Sequence, residues 1–135
     1  MTQSLAIIEY LDSRTPQPPL LPADPADAAS LRAIAYAVAM DTHPICNLSV
    51  VAHHAAAFNG TAKDKTGWMR YFIDKGLSAV EALADHPTTG TFLHGETPGL
   101  ADIILVPQLY NARRWGVALD LSLIHISEPT RQLQI

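Results

Sequence analysis

Five of the ten prolines, Pro16, Pro18, Pro19, Pro22 and Pro25, fall within one ten-residue window. Proline lacks an amide proton and pushes its predecessor out of the helical region, so this window can be neither helix nor central strand. It divides the chain into a short leading segment (residues 1–13), a linker (14–25) and the remainder. Leu20 and Leu21 inside the linker predict an extended stretch that still docks on an apolar surface. The leading segment carries Leu5, Ile8 and Leu11 at helical spacing, with Ile7 alongside. A lone helix this short is marginal in water. Its apolar face is expected to stay exposed and to invite self-association.

Beyond the linker the periodicity is helical throughout. Asp24 or Asp27 is placed to cap a helix that starts near Pro25, where proline is tolerated. The alanine-rich run over 33–57 favours helix, and Pro44 predicts a kink within it. Asn59-Gly60 suits a left-handed helix end. A second helix is expected over 63–84, with Met69, Ile73, Leu77 and Val80 beside a stripe of Trp68, Phe72, Gly76, Ala79 and Leu83. A third, over 99–112, is apolar nearly all round, which predicts burial at a bundle centre with a bend at Pro107. Only Thr91-Phe92-Leu93 leaves a strand open. The fold class is all-α, a helical bundle.

Composition narrows the function classes. The chain has 135 residues, of which 48% are hydrophobic and 16% charged, enough for a core without crosslinks. Nine basic against 13 acidic residues leave a net charge of −4, which disfavours nucleic acid and anionic membranes as partners. Cys46 is the single cysteine, so no intrachain disulfide can form. No apolar run approaches the roughly 18 residues of a membrane span, and the first residues lack a basic-then-apolar signal pattern. A soluble, cytoplasmic protein is expected.

Several side chains could carry chemistry. His43, Cys46, His53 and His54 crowd together, but adjacent His53 and His54 diverge on a helix and three ligands cannot be brought together, so no metal is expected. Cys46 reads more readily as a small buried side chain than as a nucleophile. Arg113-Arg114 at the end of the third helix either complements the helix dipole or offers a planar fork to a carboxylate ligand; both readings stay open. Asp102, three residues after Gly99, can reach back to the amide at the helix start as half a capping box.

Three strings resemble glutathione transferases: 3–11 (Gln-Ser-Leu-Ala-Ile-Ile-Glu-Tyr-Leu), 19–22 (Pro-Leu-Leu-Pro) and Leu100-Ala101-Asp102. Three more narrow the likeness to the zeta class, whose bacterial members are mostly maleylacetoacetate isomerases. They are 43–49 (His-Pro-Ile-Cys-Asn-Leu-Ser), 105–108 (Leu-Val-Pro-Gln) and 111–117 (Asn-Ala-Arg-Arg-Trp-Gly-Val). The resemblance implies a transferase C-terminal-like helical domain over 26–121, preceded by the last helix of a thioredoxin-like domain that is otherwise missing. It implies that glutathione is held by Gln3, Ser4, His43, Asn47, Leu48 and Ser49, and that Arg114 grips a substrate carboxylate. Gly99 and Asp102 form the structural cap, and the residues that activate the thiol belong to the missing domain.

The chemistry implied is glutathione-dependent cis–trans isomerisation of maleylacetoacetate to fumarylacetoacetate in aromatic amino-acid catabolism, by a homodimer in the full-length protein. Within the same fold the alternatives are a generalist glutathione transferase or a maleylpyruvate isomerase. The latter tend to carry an extra arginine at about Leu48. From a different class, a non-catalytic helical interaction module is the competing reading; Gln3-Ser4 and Arg113-Arg114 argue against it. The last residues, 122–135, do not resemble the family and resemble a translated adapter string.

Overall fold

The computed structural model describes residues 2–119, and every regular element among them is helical. Helix α1 spans Ser4–Arg14, α2 Pro25–Tyr36, α3 His43–Ile45, α4 Leu48–Ala57, α5 Ala62–Ala84 and α6 Leu100–Trp115. Between α2 and α3 lies a π-helical segment, Ala37–Thr42. Thr91-Phe92-Leu93 forms bends rather than a strand. The tail over 122–135 lies outside the described residues.

Local chemistry explains most helix ends. Asp24, not Asp27, caps α2, its carboxylate accepting from the amides of Ala26 and Asp27. Thr61 and Asp64 close a reciprocal capping box on α5. Asn59 has the positive φ of 53° expected after α4. Gly116 ends α6 in the left-handed region, and Arg70 of α5 donates from Nε to the Trp115 carbonyl at 2.7 Å.

The alanine-rich run is not one kinked helix, because a wider turn interrupts it before the proline does. Pro44 sits instead in the first turn of short α3, where its missing amide costs nothing. The π segment skips a register, and Thr42 offsets the disturbance by donating its hydroxyl to the Ala37 carbonyl at 2.9 Å. Gly76 of α5 packs directly on this turn. A Cβ there would lie 2.1 Å from Thr42 Oγ1, so only glycine permits the approach.

The core gathers on α2, the π segment, α5 and α6, with Ile34, Val38, Met69, Ile73, Leu77, Leu100, Leu105 and Leu109 all buried. The linker docks as expected. Leu20 donates its amide to Asp12 and accepts from the Leu100 amide at the start of α6, and Leu20 and Leu21 lean on the core. Helix α1 is split: Leu5 and Ile8 pack against the core, whereas Ile7, Tyr10 and Leu11 are exposed. The expected single apolar face thus divides, with Leu11 on the outward side.

Candidate functional site

Four chemistry-bearing residues converge where the N-terminus of α1 meets the π segment and α3. Gln3 and Ser4 from α1, His43 from α3 and Asn47 at the cap of α4 line one cavity of about 480 Å³, with Ala39, Met40 and Pro44 as its apolar wall. The π segment, Ala37–Thr42, contributes Ala39 and Met40 to this wall, and His43 follows it directly in the chain.

The open N-terminus of α1 lies in the wall of this cavity. The first-turn amides of an α-helix have no intrahelical partners, and they carry the positive end of the helix dipole. In α1 no side chain caps them, since Gln3 makes no cap hydrogen bond. Gln3 itself is held at φ 71° and ψ 118°, a strained conformation for a residue with a side chain. Such strain costs about 1–3 kcal/mol and concentrates at ligand sites. Asn47 accepts from the Ser49 amide and hydroxyl through Oδ1, which leaves its Nδ2 group without a protein partner among the described residues.

His43 is half-buried. Burial pulls its pKa below the ordinary histidine value, and the adjacent Gln108 amide partly opposes the shift. Gln108 comes from α6 and is fully buried, yet neither Nε2 nor Oε1 completes a hydrogen bond of good geometry. An unsatisfied buried polar group costs about 1–3 kcal/mol, so this amide calls for a reason to be there.

Leu48 and Ser49 do not line the cavity: Leu48 is exposed in the first turn of α4, and Ser49 serves the Asn47 cap. Arg114 is exposed in the last turn of α6 and also stands outside the cavity wall. Cys46 is buried, which pushes its thiol pKa up, away from the range of a nucleophile. His53 is exposed, and the His54 ring lies tilted against that of Trp68 with the centroids 4.2 Å apart.

The Gly99–Asp102 pair is structural, as its spacing indicates. Asp102 accepts from the Gly99 amide at 2.8 Å and from the Leu93 amide at 3.0 Å, stitching the 85–99 loop to α6. Glycine at 99 eases a close approach between segments distant in sequence. An added Cβ would meet the Leu20 carbonyl at 3.0 Å, where the linker crosses the helix start. Spacing did not reveal Met40, Gln108 or Arg70. For Gln108 a signal existed, since one amide interrupts the apolar ring of α6.

Residues 53–129 match the family model for the glutathione S-transferase C-terminal domain. The chain belongs to the glutathione S-transferase family. Within that family it is 54% identical over 119 residues to the maleylacetoacetate isomerase of Rhizobium meliloti, covering 88% of this chain and 56% of that protein. Among solved structures, this transferase-family fold superposes on the maleylacetoacetate isomerase of Anaeromyxobacter dehalogenans, with dicarboxyethyl glutathione and citrate in that protein's active site. The TM-score is 0.87 at 40% identity, over 96% of this chain and 58% of the other. A holo maleylpyruvate isomerase, described as a bacterial zeta-class glutathione S-transferase, gives 0.92 at 38% identity over 99% and 65%. The chain spans little more than half the length of the curated relatives it matches.

Proposed function

We propose that this chain is the helical part of a maleylacetoacetate isomerase and that its cavity holds part of glutathione. The convergence of Gln3, Ser4, His43 and Asn47 on one cavity at the open N-terminus of α1 carries the reading. Glutathione has two carboxylates, an ammonium group and two peptide amides. The unpaired first-turn amides of α1 and the Ser4 hydroxyl suit one carboxylate. Gln3, Asn47 Nδ2 and His43 supply neutral hydrogen-bonding groups for the rest.

When bound, glutathione supplies a thiol that adds reversibly to a conjugated double bond, freeing it to rotate. The contribution of this chain is placement: one end of the tripeptide fixed on rigid helices restricts where the thiol can be. Fixing a reactant near its partner is worth a large fraction of a barrier. In this reading thiol activation belongs to an upstream thioredoxin-like domain, and no residue of this chain is assigned to it. The same reading carries a cytoplasmic homodimer acting in tyrosine catabolism. Arg114 would meet the substrate carboxylate once such a domain and the closing helices complete the site.

The test is a graft. Residues 2–119 replace the matching segment of the Rhizobium meliloti isomerase, and glutathione-dependent isomerisation of maleylacetoacetate is assayed. Retained turnover, lost with Ser4→Ala and His43→Ala together, supports the proposal. A folded graft that has lost glutathione affinity along with turnover points to the interaction-module reading instead.

The close superposition on a maleylpyruvate isomerase favours a second reading, with maleylpyruvate as substrate. Leu48 weighs against it, because leucine offers no cation for a second carboxylate. Relative rates of the graft on the two enones decide between them.

A further inference from the structure

Two methionines fall among the described residues, and they are placed oppositely. Met69 is sealed in the core at 1% exposure, whereas Met40 is 58% exposed and stands in the wall of the cavity. A thioether has no proton to lose, so access to its sulfur decides how readily an oxidant reaches it. With hydrogen peroxide the sulfur gives an electron pair to one peroxide oxygen and the O–O bond breaks. The other oxygen leaves as water, and the side chain becomes a sulfoxide, polar where it was apolar.

The change matters because of what shares that wall. The cavity has a surplus of donors: the first-turn amides of α1 carry no side-chain cap, and Asn47 Nδ2 has no protein partner among the described residues. A thioether is a weak acceptor and leaves those donors to a ligand. A sulfoxide oxygen is a strong acceptor on the same flexible side chain. We propose that Met40 is an oxidation site, and that its sulfoxide takes up donors of the cavity and thereby competes with an anionic ligand. Methionine sulfoxide is reduced enzymatically, so the block is reversible. That the ligand is glutathione rests on the reading above; the oxidation site and its occupancy of the donors do not.

The test treats the chain with hydrogen peroxide and reads its tryptic peptides by mass spectrometry, where cleavage at Arg32, Lys63, Lys65 and Arg70 separates Met40 from Met69. Met40 should be oxidised well before Met69. The backbone amides of Ser4 and Leu5 should then shift with no ligand present. Glutathione affinity should fall about three- to tenfold, the equivalent of one hydrogen bond. Methionine sulfoxide reductases for both epimers should restore it, whereas dithiothreitol alone, which rescues an oxidised Cys46, should not. Met40→Leu is compared with itself before and after peroxide, and its affinity should not change. Equal oxidation of Met40 and Met69 overturns the proposal, as does a sulfoxide that leaves affinity unchanged or an equal peroxide-induced loss in Met40→Leu. Should that variant fail to fold, a loss that the reductases do not reverse overturns it. If the Ser4 and Leu5 amides shift reversibly but neither form binds glutathione, the oxidation site stands and the glutathione reading fails.

Discussion

Asp102 ties α6 to a loop that would otherwise have little to hold it. Its two carboxylate oxygens serve the Gly99 and Leu93 amides, and both are sealed from water. Asp102→Ala leaves those donors buried and unpaired and should destabilise the chain by about 2–4 kcal/mol in urea unfolding. The motif was legible because a cap acts over three residues of sequence. The close approach of the Leu20 carbonyl to Gly99 was not, since it comes from a segment far away in the chain. His43 predicts a pH effect. Its folded pKa is depressed by burial, so its contribution to stability is present above the ordinary histidine value of about 6.5 and is lost as pH falls through the folded value. Urea midpoints measured from pH 8 to 5 should drop more in the wild type than in His43→Gln.

At the scale of elements, the π segment forms part of the cavity wall. Helical periodicity assumes an even 3.6-residue turn, so a register skip cannot be read from apolar spacing. The sequence pointed to Pro44 as the irregular position, whereas the disturbance lies in the turn before it. Gly76 is its support. Gly76→Ala drives a Cβ into Thr42 and should cost about 1–3 kcal/mol by overpacking. Adding Thr42→Ala removes the hydroxyl that clashes, so the double variant should lose less than the sum of the two single ones. Strict additivity in denaturant midpoints would mean that the two helices do not meet as described. Pro107, where the sequence predicts a bend, lies within continuous α6 on its exposed side.

At the scale of the molecule, the all-helical class and the docked proline linker were legible from proline placement and apolar spacing. The gathering of Gln3, Ser4, His43 and Asn47 was expected only through family likeness, because no local rule joins α1 to α3 across the linker. Arg114 was grouped with them by the same likeness and stands apart in the described fold. Ile7, Tyr10 and Leu11 leave an apolar stripe on α1 facing water. Sedimentation should therefore show self-association rising with concentration, relieved by Ile7→Lys with Leu11→Lys. The central claim is that the cavity at the start of α1 takes glutathione. It is tested most directly by following backbone amide resonances of the chain during a glutathione titration. Saturable shifts concentrated at Ser4, Leu5, His43 and Asn47, weakened by Ser4→Ala, are the predicted result. A titration that leaves those amides unmoved, or moves only residues elsewhere in the fold, contradicts the account.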